Sequence, residues 1–336
     1  MTGRRGSSFG FSLIYGWGPA YPETTGYILG TLIEYAKISG DNSLIDRARE
    51  MADWEIDVQL PDGGVHQGPL FPKAEARSEV FDTGMVLHGW VDAFEEFGET
   101  KYLDAGELAA GLLVDVMDGD GAWRRHSYMN IPHTYQTRIS WAMMRLAQHT
   151  GDDKTMRAAE RNMDWALSQQ TENGWFKSCN FKPGTHPNTH GMAYTLRGLL
   201  EGYEILGKPD YLEAALKTSE ALMKKFEIGG LLFAEYDGAW KPQATHLCLT
   251  GIVQMGIDWL RLFQITGDSR LLNAGIKAVD HGAAHQHWGP GRNVRGALPG
   301  SFPIWGGYAP MQFPNWPTKF LAEALMLKER CLSSIE

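Results

Sequence analysis

Histidine, tyrosine and arginine recur together in this sequence, each time at the start of an apolar segment. The two groups are His133, Tyr135 and Arg138 in PHTYQTRISW, and His190, Tyr194 and Arg197 in THGMAYTLR. A histidine and a tyrosine can exchange protons with a bound molecule, and an arginine supplies a fixed cation. The second group stands at i, i+4 and i+7, so a helix would place its members on one face. The sequence therefore predicts a functional site at these segments.

Similar polar and aromatic residues precede the other apolar segments. They are Tyr21 and Glu23 in YPETTGY, Asp82 in VFDTG, His246 in ATHLCLTG, and Asn315, Trp316 and Lys319 in NWPTKF. A structural role is the alternative for several of them. Asp82, Thr24 and Thr25 stand where helix N-caps belong, and a single histidine at a helix start is often structural. Three histidines among six such positions favour a shared site.

A helix-turn-helix joint repeats along the chain and must position these residues. Its glycines are Gly40, Gly98, Gly151, Gly207 and Gly267, and subtracting their positions gives spacings of 58, 53, 56 and 60 residues. A fixed period of this length indicates an array of helical hairpins. The segments before the joints are apolar nearly all round, whereas those after them, such as DKTMRAAERNMDWALSQQ, have one apolar face.

A ring of helical hairpins explains both patterns, because inner helices are covered on two sides and outer helices on one. With a sixth apolar segment at the end of the chain, about eleven main helices are expected. The predicted fold class is all-α, an α/α toroid with an incomplete set of six hairpins, in a single domain over residues 1–336. An open superhelix of repeats is the alternative.

Long loops join the hairpins and carry most of the remaining aromatic residues. They run over about residues 60–80, 118–133, 171–190, 228–246 and 284–316. Their tryptophans, with one at a helix start, are Trp123, Trp175, Trp240, Trp288, Trp305 and Trp316. Such rings can simply fill space at hairpin ends. Beside Asp, Asn, Arg and His, they also suit sugars, which present apolar faces edged by hydroxyl groups.

The repeated hairpins with their GW and GAW loops resemble the α/α-toroid carbohydrate-active enzymes. This group contains polysaccharide lyases, six-hairpin glycosidases that include unsaturated-uronyl hydrolases, and sugar epimerases. The resemblance extends over nearly the whole chain as architecture, but its motifs are not specific to one activity. Terpene cyclases and protein prenyltransferases share the architecture, yet no DxDD motif and no zinc-ligand set accompanies it here.

Among these enzymes, the residue types favour a lyase that acts on a uronate-containing polysaccharide or oligosaccharide. In toroid lyases, Asn, His or Arg neutralises the uronate carboxylate and thereby makes the C5 proton removable, while His or Tyr acts as base and Tyr as acid. The resemblance thus implies four catalytic residues, His133, Tyr135, His190 and Tyr194. It implies a substrate-binding set of Tyr21, Glu23, Asp82, Arg138, Arg197, His246, Trp305, Tyr308, Asn315 and Trp316.

Two other functions stay open. A glycoside hydrolase of the unsaturated-uronyl type, or an epimerase, would use carboxylates or histidines instead, and Asp82, Glu23, Glu235 and Asp237 are available. The unsaturated-uronyl hydrolases are expected to carry an aspartate at the start of an inner helix, which VFDTG matches loosely. A non-catalytic glycan-binding or polysaccharide-assembly protein would use the aromatic residues alone.

Composition excludes several other classes. The formal net charge is −9 with scattered basic residues, which argues against nucleic acid as a partner. The three cysteines lack metal-type spacing. We expect neither a metal nor another cofactor in the chemistry. No segment is long and apolar enough to span a membrane, and the N-terminal stretch is too weak for a signal peptide. A soluble protein is expected, cytoplasmic or exported after removal of a signal.

Overall fold

The computed structural model describes residues 5–72 and 75–335, so parts of the N-terminal stretch and of the predicted loop over 60–80 lie outside the described residues. Eleven α-helices occur in the described part of the chain. They are α1 (Pro22–Ser39), α2 (Asn42–Val58), α3 (Val80–Phe97), α4 (Lys101–Asp115), α5 (Thr137–Thr150), α6 (Asp153–Ser168), α7 (Thr189–Leu206), α8 (Pro209–Gly229), α9 (Leu249–Thr266), α10 (Ser269–Ala283) and α11 (Asn315–Ser333). The predicted alternation of apolar and one-faced helices is confirmed.

Short strands and single 3-10 turns lie in the segments between the helices. The strands are β1 (Gly10–Ser12), β2 (Gly16–Trp17), β3 (Leu247–Cys248), β4 (Ser301–Phe302) and β5 (Gln312–Pro314). β1 pairs antiparallel with β5, and β3 pairs antiparallel with β4. Two 3-10 turns, Tyr128–Asn130 and Thr134–Gln136, precede α5. The strands thus connect loop segments to helix starts, and they form only small sheets.

The chain divides into two compact units. Unit 1 comprises the described residues up to Phe9 together with 17–132 and 138–165, and unit 2 comprises 10–16, 133–137 and the described residues from Ala166 onward. In unit 1, α1 packs against α3, with α2 and α4 against them. In unit 2, α9 packs against α7, α10 and α11, and α8 packs against α7. The single domain expected from the sequence stays a prediction.

Each predicted joint glycine ends a helix in the left-handed backbone region. The φ values of Gly40, Gly98, Gly151, Gly207 and Gly267 are 73°, 69°, 72°, 66° and 71°. A side chain would disfavour this conformation, which explains why glycine recurs at the joints. The repeat spacing in the sequence therefore follows from helix ends whose backbone conformation favours glycine.

Other glycines allow two helices of unit 1 to approach closely. A Cβ on Gly26 in α1 would lie 2.5 Å from the Cα of Val86 in α3, and a Cβ on Gly89 would meet the carbonyl oxygen of Gly26. These neighbours are backbone atoms, so they cannot move aside as a side-chain end could. The contact between α1 and α3 thus depends on the absence of side chains at both positions.

Gly89→Ala is expected to destabilise the protein by about 1–3 kcal/mol, because the methyl group must push α1 and α3 apart. Gly111→Ala is the matched control, since Gly111 also lies inside a helix but has no atom within 4 Å of an added Cβ. Alanine should stabilise α4 there by roughly 0.5–1 kcal/mol. Denaturant midpoints measure both effects. Equal shifts of the same sign would contradict the proposed close approach.

Several loop tryptophans have structural roles. Trp123 is fully buried and donates from Nε1 to the Leu113 carbonyl at 2.7 Å. Trp240 donates to the Asn173 carbonyl at 2.9 Å, and Trp175 donates to the Tyr236 carbonyl at 3.2 Å. These bonds join neighbouring loops at hairpin ends, which is the packing alternative that the sequence left open. Among the described residues, no helix combines the length and the apolar character needed to cross a membrane.

Candidate functional site

Asp82 forms the centre of a carboxyl cluster in unit 1. It lies in the first turn of α3, where the Gly68 N–H donates to Oδ2 at 2.6 Å and the Tyr21 hydroxyl donates to Oδ1 at 3.3 Å. Asp82 is not the N-cap of α3, which the sequence allowed. That position belongs to Glu79, whose Oε2 accepts a hydrogen bond from the Asp82 N–H at 2.7 Å. The carboxyl group of Asp82 therefore does not serve as the cap of α3.

Burial and like charge retain protons in this cluster. Burial raises the pKa of Asp82 to about 7, although the hydrogen bonds from Gly68 and Tyr21 oppose the shift. Burial and the charge of Asp82 raise the pKa of Glu23 to about 8, against hydrogen bonds from Tyr21 and Tyr27 and the charge of Arg138. The pKa of Glu79 is raised by the same two causes. Since neighbouring carboxyl groups cannot all ionise, the cluster holds at least one proton near neutral pH.

Arg138 is a buried cation of unit 1. It is 4% exposed, and its guanidinium carbon lies 5.3 Å from the centre of the Trp141 ring. Its carbonyl oxygen accepts a hydrogen bond from Nε2 of His88 at 3.0 Å, so the first turn of α5 is fixed in place. The guanidinium charge favours the ionised form of Glu23. Arg138 thus lies in the same unit as Glu23, Asp82 and Tyr21, which belong with it to the predicted substrate-binding set.

Glu55 is a further carboxyl group of this unit, and the sequence did not single it out. It lies near the end of α2 and is fully buried, and neither of its oxygens has a hydrogen-bond partner among residues 5–72 and 75–335. Burial and the charge of Asp82 raise its pKa well above the ordinary value. An isolated buried carboxylate would be very unfavourable, so burial favours the protonated form of Glu55.

Glu55→Gln is expected to stabilise the protein relative to the wild type by an amount that grows with pH. The raised pKa means that the folded wild type holds a proton that the unfolded chain releases above about pH 4.5, so its stability is greatest below that pH and declines as pH rises toward the folded pKa. The slope is about 1.4 kcal/mol per pH unit. Unfolding free energies between pH 4 and 8 measure it. Glu50→Gln, an exposed change in the same helix, should show no such trend. The prediction is contradicted if the unfolding free energies of Glu55→Gln and the wild type change in parallel with pH.

His133 and Tyr135 lie together at the start of the α5 segment, in unit 2. Nδ1 of His133 is 2.9 Å from the carbonyl oxygen of Asn180. A carbonyl can only accept, so Nδ1 carries a proton, and in the neutral ring Nε2 is the basic nitrogen. The two rings stack at 4.5 Å with an interplanar angle of 16°. The Gln136 side chain accepts a hydrogen bond from the His133 N–H at 3.2 Å and fixes this turn.

His190 and Tyr194 lie in the first two turns of α7, and their ring centres are 4.4 Å apart. Nδ1 of His190 is 2.5 Å from Oε1 of Gln254 on α9. Tyr308 lies 5.6 Å from the His190 ring and accepts a hydrogen bond from the indole N–H of Trp316 at 2.9 Å. Phe181 links the two histidine groups, because its ring lies 5.6 Å from Tyr135 and 5.8 Å from His190. Unit 2 thus gathers all four predicted catalytic residues, together with Tyr308 and Trp316.

Arg197 is held in an ion-pair network. Its Nε lies 2.8 Å from Oε1 of Glu201, and its Nη1 lies 3.6 Å from Oε1 of Glu323. Arg261 also contacts Glu201, and Lys319 also contacts Glu323. Glu201 and Glu323 are therefore carboxylate partners of Arg197. Arg197 serves a network inside unit 2, and its role as a substrate clamp stays a prediction.

The remaining predicted residues lie outside these ring contacts. His246 packs beneath Gly306 and Gly307, where a Cβ on Gly306 would lie 2.7 Å from the Cβ of His246. Burial lowers the pKa of His246, so its neutral form is favoured. Trp305 is 71% exposed, and Asn315 is the first residue of α11. The exposed Trp305 ring remains suited to stacking on a sugar.

The sequence missed Glu79, Glu55 and Gln254. The sequence offered one signal, a polar residue within a helix pattern. Gln254 interrupts the apolar segment LTGIVQMGI, and Glu55 ends a run of otherwise ordinary outer-helix residues. Among the described residues, no group of three or more His, Cys, Asp or Glu side chains is arranged to hold a metal ion.

Known structures share this helix arrangement. A heparin-specific unsaturated glucuronyl hydrolase has a TM-score of 0.77 at 14% identity, over 97% of this chain and 91% of its own. A cellobiose 2-epimerase from Bacillus thermoamylovorans has a TM-score of 0.76 at 11% identity, over 97% and 93% of the two chains. An unsaturated glucuronyl hydrolase from a Bacillus species has a TM-score of 0.74 at 15% identity, over 96% and 91%.

At the level of sequence, no protein-family model matches the chain, and no curated protein matches it either. The structural likenesses and the helix order establish the fold class. The chain has the all-α fold of the α/α-toroid carbohydrate-active enzymes, as its sequence predicted.

Proposed function

We propose that this protein is an enzyme acting on a uronate-containing saccharide, and that it hydrolyses a 4,5-unsaturated uronide. The observation that carries the proposal is the cluster of Asp82 and Glu23, in which burial and like charge keep a proton at neutral pH. Carboxyl groups tuned in this way act as general acids. Two of the structural neighbours are unsaturated glucuronyl hydrolases, which supports the same chemistry.

The reaction requires one proton donor and one proton acceptor. A 4,5-unsaturated uronide contains an enol ether, which reacts when an acid protonates C4 and the ring oxygen stabilises the cation at C5. Water then adds at C5 and loses its proton to a carboxylate, and the resulting hemiketal opens and releases the neighbouring sugar. Asp82 and Glu23 can supply both roles, because the carboxyl group that donates its proton becomes a base for the water. Arg138 would attract the uronate carboxylate.

An absorbance assay with three substrates tests the proposal. Hydrolysis of an unsaturated disaccharide removes the C4=C5 chromophore, so near-ultraviolet absorbance should fall. A lyase would instead raise the absorbance of an intact acidic polysaccharide. An epimerase would incorporate deuterium from D2O at C2 of a neutral reducing disaccharide. A falling signal with the unsaturated substrate supports the proposal, and activity only in either of the other arms overturns it.

Proton abstraction by His190, as in a polysaccharide lyase or an epimerase, is the second candidate function. The bond between His190 and Gln254 favours it, because it leaves Nε2 of the neutral ring as the basic nitrogen. Tyr194, against the His190 ring, could supply the acid. In this alternative, no carboxyl group need be protonated. A non-catalytic glycan-binding protein would show no turnover in any arm.

Tyr194→Phe separates the two candidates. The change removes one hydroxyl group and almost no volume, so the fold should persist. Under the hydrolase proposal we expect the turnover rate on the unsaturated disaccharide to stay within about threefold of the wild type. Under the second candidate, loss of a general acid should lower kcat by about 10²-fold or more. Tyr102→Phe, in α4, controls for removal of a hydroxyl group, and a large loss in Tyr194→Phe alone would move the assignment to His190 and Tyr194.

A further inference from the structure

Aromatic side chains surround the His190 ring. Its side chain is almost fully buried, with Tyr194, Tyr308, Phe181 and Phe320 around the ring at centre distances of 4.4–6.5 Å. A neutral imidazole carries one ring proton, on either Nδ1 or Nε2. The ring can therefore act as a base only through whichever nitrogen lacks a proton.

Gln254 decides which nitrogen that is. Its side chain is 4% exposed in α9, and Oε1 faces Nδ1 of His190 at 2.5 Å. The carbonyl oxygen of an amide can only accept, so the proton lies on Nδ1 and the lone pair on Nε2. The Asn188 side chain also fixes the backbone of His190, since its Oδ1 accepts from the His190 N–H at 2.9 Å. Position and tautomer are thus set from two different segments.

We propose that Gln254 is a positioning residue that holds His190 in the Nδ1–H tautomer and makes Nε2 its basic nitrogen. Glutamine suits this role better than glutamate would, because a neutral acceptor fixes the tautomer without adding a charge that stabilises the imidazolium. The kinetic part of this proposal rests on the second candidate function, in which His190 takes a proton, whereas the tautomer does not.

The tautomer can be observed directly by 15N-histidine NMR of the full chain, with the His190 signals identified by their absence in His190→Ala. The wild type should show a protonated Nδ1 and an unprotonated Nε2. Gln254→Leu should lose this fixed tautomer. Gln254→Glu keeps the size of the side chain and should raise the pKa of His190 by about one unit or more, because a carboxylate favours the imidazolium. Gln264→Leu, an exposed change on the same helix, should alter neither signal.

Kinetics test the positioning role separately, in the lyase or epimerase arm of the assay, where His190 would take a proton. Gln254→Leu should lower kcat while leaving KM nearly unchanged, and Gln254→Glu should move the acidic limb of the pH-rate profile upward together with the NMR pKa. A proton on Nε2 in the wild type overturns the proposal, as does an unchanged kcat in Gln254→Leu. If the wild type turns over nothing, the proposed function fails, while the NMR result still decides the tautomer.

Discussion

Asp82→Asn is expected to lower turnover of a 4,5-unsaturated uronide by about 10²–10⁴-fold, which is the usual contribution of a general acid or base. Asparagine keeps the shape of the side chain and can still accept from the Gly68 N–H, which now lies 2.6 Å from Oδ2. It cannot deliver a proton to carbon. The unfolding midpoint below pH 7 should therefore change little, because burial raises the pKa of Asp82 to about 7 and the carboxyl group is then mostly neutral in the wild type as well.

The pH dependence of the wild-type rate checks the same assignment. Because the acid must be protonated, the rate should fall as pH rises through the raised pKa values of Asp82 and Glu23, about 7 and about 8. Asp41→Asn is the matched control, since Asp41 caps α2 by accepting from the Ser43 N–H but belongs to no carboxyl cluster. Its rate and pH profile should equal those of the wild type. A fully active Asp82→Asn variant would refute carboxyl-based hydrolysis.

The helix order was predictable because it depends on local requirements. Gly40 and Gly98 end helices with a positive φ, and the apolar or one-faced character of each segment is written in consecutive residues. The carboxyl cluster was not predictable to the same degree. Asp82 could be noticed from its position, but its pKa depends on burial and on hydrogen bonds from Gly68 and Tyr21, which are brought close only by the fold. The sequence alone does not distinguish an aspartate that caps a helix from a buried aspartic acid.

Polar residues within helices show the same limit. Arg197 and Glu201 stand at i, i+4, so their ion pair could have been read from the sequence. The second partner, Glu323, lies on α11 and is separated from Arg197 by more than a hundred residues. Gln254 was visible only as an exception to an apolar pattern, and its acceptor role toward His190 required the packing of α7 on α9. Local pairs were accessible from the sequence, and long-range pairs were not.

Arg197→Ala is expected to lower the free energy of unfolding by about 3 kcal/mol, the lower end of the range for removing one partner of a buried ion pair. The guanidinium group lies between Glu201 and Glu323, with side-chain exposures of 14%, 12% and 16%, so solvent compensates little for its loss. The effect should not be larger, because Arg261 still contacts Glu201 and Lys319 still contacts Glu323.

The comparison of stability with activity decides what Arg197 does. If it serves the network, thermal unfolding should shift to lower temperature, while the folded variant assayed well below that temperature keeps most of its activity. Arg157→Ala is the control, because its exposed i, i+4 pair with Asp153 is worth only about 0.3–0.5 kcal/mol. An unchanged unfolding temperature with a large loss of activity would instead support the substrate clamp. That outcome would mean that Glu201 and Glu323 position a cation for an anionic sugar, because the network holds the guanidinium whether or not a ligand is bound.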